Sequence, residues 1–186
     1  MPNSPPFVVF SLPRSRSTWL SVYLSKPRRV IGHDIGIESG SPDDFLAKLG
    51  AGTCETGAAF AAGTIRKLVP GVRFAVINRP AMDVSQSLDA IELGWHLQEM
   101  TARARDLASI SAMPGTLTIT YDALDTFEGC NEIHRFCLGD DADPVWWEKM
   151  RHTNVQIDIP WQMARLRENA GGIARLKQVV GSYAAL

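Results

Sequence analysis

Short runs of consecutive apolar residues alternate along the chain with segments whose apolar residues recur every three or four positions. Continuous apolar runs are typical of strands buried on both faces of a parallel sheet, and the intervening periodicity is typical of helices. The pattern therefore predicts strands that alternate with helices. The strands are predicted at 7–11, 28–34, 52–55, 72–78 and 116–121.

Helix signals fill the intervals between these strands. Ser41 as N-cap, Pro42 at the first helical position and Gly50 after the last predict a helix over 41–50. Further helices are predicted at 17–25, from about 56 to 69, at 80–93 and at 95–112, and the chain after 121 is predicted to be helical. We expect a single domain over 1–186, with a helical C-terminal part at about 140–186. The fold class is α/β, a three-layer α/β/α arrangement of four or five mainly parallel strands.

Composition narrows the class of protein. The chain has 186 residues and a formal net charge of -1, so bulk charge does not indicate a nucleic-acid or membrane partner. Three cysteines without a CxxC pair argue against a disulfide framework or a structural zinc site, and Cys130 and Cys137 are predicted to be buried thiols on one helix face. No secretory leader pattern or long apolar span is present, so we expect a cytoplasmic protein. The oligomeric state is not predicted.

Polar residues crowd the point where the first strand leads into the next helix. The apolar run 7–10 is followed by Ser11-Leu12-Pro13-Arg14-Ser15-Arg16-Ser17-Thr18-Trp19. A strand-to-helix turn directs backbone N–H groups at one spot, where the helix dipole also favours negative charge. Two arginines and three hydroxyl groups suit a phosphate or sulfate there, although the glycines and lysine of a Walker A loop are missing. The alternative is a solvated turn in which Ser17 is a simple N-cap.

This loop resembles the phosphosulfate-binding loop of the sulfotransferases that use 3′-phosphoadenosine 5′-phosphosulfate (PAPS). In that family the first strand runs into a sequence similar to Pro-Lys/Arg-Ser-Gly-Ser/Thr-Thr-Trp, which Pro13-Arg14-Ser15-Arg16-Ser17-Thr18-Trp19 resembles. The resemblance implies a P-loop-NTPase-like fold. It also implies that this loop binds the 5′-phosphosulfate and that Trp19 lies near the adenine. Arg16 departs from the family, which usually has glycine there.

A second segment resembles the 3′-phosphate element of the same family. Arg79 follows the strand 72–78, and Asp83 and Ser87 follow four and eight residues later on the predicted helix. An arginine at the carboxyl end of a strand can offer a bidentate fork to a phosphate. The resemblance assigns Arg79 and Ser87 to the 3′-phosphate, whereas the alternative is a salt bridge between Arg79 and Asp83. The segment 118–124 (TITYDAL) also resembles the family, as a structural match.

The resemblance implies sulfuryl transfer from PAPS, without a metal, to a small-molecule hydroxyl or amine acceptor that the sequence does not specify. Of the four histidines, which are His33, His96, His134 and His152, His33 is predicted at the carboxyl end of a strand beside the loop. There it resembles the family's general base, with Asp34, Glu38 and Glu55 as carboxylate alternatives. Arg14 would stabilise charge on the transferring group, because a guanidinium does not give up a proton at working pH.

Two other functions stay open. Larger members of the family close a late basic, glycine-containing loop over the 3′-phosphate, and this chain offers only Arg167, Gly171-Gly172 and Arg175 in that role. The short chain and Arg16 therefore leave room for a non-catalytic nucleotide-binding or interaction protein with a sulfotransferase-like fold. A nucleotide kinase is a third possibility, disfavoured by the missing Walker lysine.

Overall fold

The computed structural model describes residues 5–27, 29–91, 97–153 and 155. Within them five strands form one sheet, and every pairing between them is parallel. The strands are β1 (Phe7–Ser11), β2 (Gly32–His33), β3 (Gly52–Glu55), β4 (Arg73–Asn78) and β5 (Leu117–Thr120). The order across the sheet is β2-β3-β1-β4-β5. The predicted α/β class and the parallel sheet are confirmed.

Helices lie between the strands and after the last one. They are α1 (Ser17–Leu24), α2 (Ile35–Glu38), α3 (Pro42–Leu49), α4 (Ala62–Leu68), α5 (Ala81–Asp89), α6 (Leu97–Ser111), α7 (Phe127–Leu138) and α8 (Pro144–Arg151). The start of α3 is as predicted, because the Ser41 hydroxyl accepts a hydrogen bond from the Asp44 N–H and Pro42 is the first helical residue. The predicted helical segment beyond α8, including Arg167, Gly171, Gly172 and Arg175, lies outside the described residues, as does His96.

Two hydrophobic cores cover the two faces of the sheet. Residues of β1 alternate between them, with Phe7 and Val9 in the core formed with α1, α7 and α8. Val8 and Phe10 lie in the opposite core, formed with α3, α4, α5 and α6. Each such side chain contributes about 1.5–3 kcal/mol when it is fully buried. The continuous apolar run of β1 thus follows from its position at the centre of a three-layer fold.

The second strand is shorter than predicted. The apolar pattern predicts a strand over 28–34, whereas β2 contains only Gly32 and His33. Lys26 and Arg29 instead close a tight turn through two backbone hydrogen bonds, and the Ile31 N–H donates to the Ser25 hydroxyl. These bonds occupy backbone N–H and C=O groups that a longer strand would need for pairing with its neighbour in the sheet.

The strand order places a switch point at the centre of the sheet. β1 lies between β3 and β4, and its connection leads to β2 on one side, while β4 connects to β5 on the other. Connections that diverge in this way leave a crevice outside the carboxyl ends of the strands, where open α/β sheets bind ligands. Within the described part of the chain, no helix is long and apolar enough to cross a membrane.

Candidate functional site

Left-handed backbone marks the carboxyl ends of two strands. Among the described residues, the non-glycine positions with positive φ are Arg14 (59°), Arg16 (60°) and Asp34 (52°). The left-handed conformation costs an ordinary L residue on the order of 1 kcal/mol. Arg14 and Arg16 lie three and five residues after the end of β1, and Asp34 directly follows β2. Arg16, where the resemblance to the sulfotransferases would lead us to expect glycine, adopts a conformation that glycine adopts readily.

The loop after β1 presents the first turn of α1 without a side-chain cap. Arg16 is the N-cap residue, and its side chain makes no capping hydrogen bond, since a guanidinium has no acceptor. The first N–H groups of α1 therefore receive no acceptor from their N-cap, and the helix dipole favours an anion there. The alternative in which Ser17 caps the helix is wrong, because Ser17 is the first helical residue and its hydroxyl contacts His33.

The two sequence motifs meet at the carboxyl ends of β1 and β4. Arg14 Nε donates to Ser87 Oγ at 3.3 Å, across 73 positions of sequence. The Arg79 guanidinium donates to the backbone carbonyl of Arg14. No ion pair joins Arg79 to Asp83 in the described part of the chain, so the alternative of a local salt bridge is wrong. Arg14, Arg79 and Ser87, which were predicted to contact the two phosphate groups, thus lie together.

Tyr121 contacts two of the site's arginines, a role that sequence reasoning missed. Its ring lies 4.3 Å from the guanidinium carbon of Arg79 and 5.2 Å from that of Arg16. Arg16 is further held by Asp125 at 2.6 Å and by the Leu124 carbonyl at 3.2 Å. The segment TITYDAL already placed Tyr121 directly after β5 in the sequence. Its contacts with the two arginines, however, depend on the order of the strands in the sheet.

One ring nitrogen of His33 faces residues 14–18, the segment predicted to bind an anion and called the anion loop below, and the other ring nitrogen faces Asp34. Nε2 lies 3.0 Å from Ser17 Oγ and 3.1 Å from Thr18 Oγ1. Nδ1 lies 3.5 Å from Asp34 Oδ2, and the His33 side chain keeps 23% of its surface exposed. A partly exposed imidazole beside a turn that is predicted to bind an anion could exchange a proton with a ligand bound there.

Asp34 is bound to the neighbouring strand β3 through Thr56. Its Oδ1 accepts hydrogen bonds from the Thr56 N–H at 2.6 Å and the Thr56 hydroxyl at 3.0 Å. The Asp34 N–H donates to the Cys54 carbonyl at 2.9 Å. Sequence analysis did not identify Thr56, because its contact with Asp34 spans 22 positions and follows from the pairing of β2 with β3.

Glu55 is a buried carboxyl group near Asp34. It is 1% exposed and accepts from the Thr53 hydroxyl at 2.7 Å and from the Gly36 N–H. Burial raises the pKa of Glu55 to about 8, and the nearby charge of Asp34 acts in the same direction. Glu55 is therefore largely a neutral acid at pH 7. Its fellow alternative Glu38 lies exposed on α2.

Trp19 and Ser15 lie in packed surroundings. The Trp19 ring stacks on Tyr23 at 5.0 Å between ring centres, and its N–H donates to the Met150 carbonyl at 2.8 Å. It is 9% exposed, so the structure gives it a packing role in the core that includes α8, and its contact with an adenine stays a prediction. Ser15 is fully buried, and its hydroxyl points to the Pro13 carbonyl at 3.5 Å.

No family model, curated protein or solved structure matches the chain. Within the described residues, no group of three or more histidine, cysteine, aspartate and glutamate side chains could hold a metal ion. The interpretation of this site therefore depends on the geometry of its own residues. Arginine and hydroxyl groups from the loop after β1, from α1, from the end of β4 and from α5 lie near an imidazole from β2.

Proposed function

We propose that the protein is a PAPS-dependent sulfotransferase, which transfers a sulfuryl group to a hydroxyl or amine of a small molecule. The observation that carries the proposal is the hydrogen bond between Arg14 and Ser87, with Arg79 bound to the Arg14 carbonyl. It brings the two segments that resemble the family's 5′- and 3′-phosphate elements to one point. On the same grounds we infer a P-loop-NTPase-like fold, in which the loop between β1 and α1 binds the anion.

The arginine contacts favour a ligand with two separate anionic groups. The 3.3 Å bond from Arg14 to the neutral Ser87 hydroxyl is longer than the about 2.7–2.9 Å of a charge-assisted bond. A phosphate oxygen is therefore a better acceptor than Ser87, and Arg14 can exchange one for the other at little cost. Arg79, whose guanidinium lies over the Tyr121 ring, would contact the 3′-phosphate beside Ser87.

The reaction that we propose needs one base and fixed positive charge. The acceptor oxygen or nitrogen attacks the sulfur of PAPS in line with the bridging oxygen. The S–O bond to the phosphate breaks, and adenosine 3′,5′-bisphosphate (PAP) leaves. His33 takes the acceptor proton on Nε2, which faces the hydroxyl groups of the anion loop at 3.0 and 3.1 Å. Arg14 and the N–H groups of α1 stabilise the charge on the leaving phosphate.

A second function, donor binding without transfer, is favoured by the surroundings of Arg16. Its guanidinium is engaged by Asp125 and by the Leu124 carbonyl, so it is less available to a phosphosulfate than Arg14 is. A protein of this kind would bind PAP as tightly as the enzyme does and would transfer sulfate to none of a panel of phenols, sugars and amines.

Calorimetry of PAP and AMP with the wild type and Arg79→Ala tests the proposed site. A hydrogen bond to a charged group contributes about 1.5–3 kcal/mol, so PAP should bind Arg79→Ala at least about tenfold more weakly. AMP lacks the 3′-phosphate and should bind the wild type more weakly than PAP does. It should bind both proteins about equally well.

The matched control is Arg105→Ala, which removes a positive charge from an exposed position on α6. It should leave the affinity for PAP unchanged, and the unfolding transition of Arg79→Ala should confirm that this variant is folded. Equal PAP affinity in the wild type and Arg79→Ala would remove the proposed 3′-phosphate site. Tighter binding of ATP with Mg²⁺ than of PAP would favour a nucleotide kinase instead.

A further inference from the structure

We propose that Asp34 is a positioning residue, which holds a proton on Nδ1 of His33 and so leaves the Nε2 lone pair directed at the anion loop. The inference deepens the proposed function and rests on it for its catalytic meaning. Its structural content concerns the His33 ring alone, which can be measured without donor or acceptor.

The contacts at Nε2 by themselves leave the tautomer of His33 open. Both neighbours of Nε2 are hydroxyl groups, of Ser17 and Thr18, and a hydroxyl can either donate or accept. Asp34 favours one of the two tautomers, because a carboxylate only accepts, and its Oδ2 lies within ion-pair distance of Nδ1, at 3.5 Å. A proton on Nδ1 is attracted to that carboxylate, and Nε2 is then the basic nitrogen.

Asp34 is held in place by hydrogen bonds from Thr56, which follows the neighbouring strand β3. The Thr56 hydroxyl bridges both carboxylate oxygens, at 3.0 Å from Oδ1 and 2.9 Å from Oδ2, and the Thr56 N–H donates to Oδ1. These bonds tie the end of β2 to the end of β3. The Asp34 N–H also donates to the Cys54 carbonyl, so both the backbone and the side chain of Asp34 are bound to this neighbouring segment.

The other nearby carboxyl group has different partners. Glu55 is buried and accepts hydrogen bonds from the Thr53 hydroxyl and the Gly36 N–H. Among the described carboxylates, Asp34 is therefore the one that forms an ion-pair contact with His33. The arrangement of hydroxyl, imidazole and carboxylate follows the logic by which a buried aspartate orients a catalytic histidine in hydrolases.

Asp34→Asn is the most direct substitution. Asparagine has nearly the same size, tolerates the left-handed backbone and keeps a carbonyl oxygen that can accept from Thr56. It loses the negative charge and gains N–H donors, so the preference for a proton on Nδ1 should disappear. The matched control is Asp44→Asn, which removes a carboxylate on α3 that is paired with Lys48 instead.

Long-range ¹H–¹⁵N NMR of the imidazole nitrogens in the ligand-free protein reads the tautomer directly, at a pH about two units above the ordinary histidine value near 6.5. The His33 signals are assigned by their loss in His33→Gln. We expect the Nδ1–H form in the wild type and in Asp44→Asn, and a shift toward the Nε2–H form in Asp34→Asn. An Nε2–H form in the wild type, or no change in a folded Asp34→Asn, overturns the inference.

Thr56→Val supplies a second variant if Asp34→Asn does not fold. It removes the bridging hydroxyl and keeps the backbone N–H, so the Nδ1–H signal should weaken, and Thr56→Ser should restore it. An unchanged tautomer in folded Thr56→Val then counts against the inference.

PAP affinity, measured on the same proteins, separates this inference from the proposed function. A wild type that does not bind PAP removes the proposed function, whatever the tautomer. If the wild type is active, Asp34→Asn should lower kcat at least about tenfold, part of the ~10²–10⁴-fold that a general base contributes, at an unchanged KM for PAPS.

Discussion

His33 and His134 both have an aspartate carboxylate near Nδ1, at 3.5 Å for Asp34 and 3.8 Å for Asp140. Their other contacts differ. His134 is 3% exposed, its Nδ1–H donates to the Asp140 backbone carbonyl at 2.9 Å, and its ring packs edge-on against Tyr23. His33 keeps part of its surface exposed, and Nε2 meets two hydroxyl groups at the start of a helix.

The comparison teaches that a neighbouring carboxylate does not by itself mark a catalytic histidine. Burial lowers the pKa of His134, as suits a side chain that fills a core and donates to one carbonyl. What sets His33 apart is its place at the carboxyl end of the sheet, in contact with the first residues of a helix whose N-cap side chain makes no hydrogen bond. Replacement of His33 should therefore affect turnover, whereas replacement of His134 should affect stability.

The largest expected effect is on turnover in His33→Gln. Removal of a general base typically lowers the rate by ~10²–10⁴-fold, while PAP affinity should stay within about twofold of the wild type because a general base acts on the proton of the acceptor and not on the donor. The measurement is transfer from labelled PAPS to the first acceptor found active in a panel of phenols, sugars and amines.

The matched control for this variant is His152→Gln, since the His152 side chain is 68% exposed and paired with Glu148 on α8. It should retain full turnover. If His33→Gln also retains near-full turnover, the base would be Asp34, Glu38 or Glu55 instead. The structural differences between His33 and His134 would then not indicate a difference in catalytic role.

The next largest effect is on the pH dependence of stability and comes from the buried carboxyl group of Glu55. Because burial raises the pKa of Glu55 to about 8, the folded protein keeps a proton that the unfolded chain loses near the ordinary value of 4.5. The free energy of unfolding should therefore fall as the pH rises from about 4.5 to about 8, by up to about 1.4 kcal/mol per pH unit and a few kcal/mol in all.

Glu55→Gln imitates the protonated acid and should remove most of this dependence, so that it becomes more stable than the wild type near pH 8. Urea unfolding at about pH 5 and about pH 8 measures the difference. Glu132→Gln, an exposed glutamate on α7, serves as the control and should follow the wild type. Parallel curves for the wild type and Glu55→Gln would mean that Glu55 is ionised in the folded protein.

The smallest effect is expected for His134, and it has the opposite sign. Its lowered pKa means that the unfolded chain binds a proton more readily, so stability should be full above about pH 6.5 and decline as the pH falls below it. His134→Asn keeps an N–H group near the Asp140 carbonyl and should flatten this decline between pH 7 and pH 5.

Unfolding measurements at those two pH values test this, with PAP affinity as the second readout. His134→Asn should bind PAP as the wild type does. A loss of PAP affinity in a folded His134→Asn would show that the core beneath α1 is coupled to the anion site, and the separation between the two histidines would then be incomplete.

The sequence alone determined most of the elements and where they begin. β1 is found at 7–11 as predicted, because a strand in the middle of a parallel sheet needs apolar side chains on both faces. The cap at Ser41 was equally readable, since a capping hydrogen bond reaches only three residues along the chain. The predicted strand at 28–34 was too long, because a turn and a side-chain hydrogen bond took its backbone groups.

The tertiary structure decided how the site is assembled. Arg14 and Ser87 meet across 73 positions, and Asp34 and Thr56 across 22, and each contact depends on which strands are neighbours. Local periodicity encodes whether a segment is a strand but not its place in the sheet, which is set by the packing of all layers together. Arg14 and His33 could be predicted as site residues from their residue type and their place in the sequence. The roles of Thr56 and Tyr121 could not be predicted in this way, because they consist entirely of long-range contacts that form only in the folded chain.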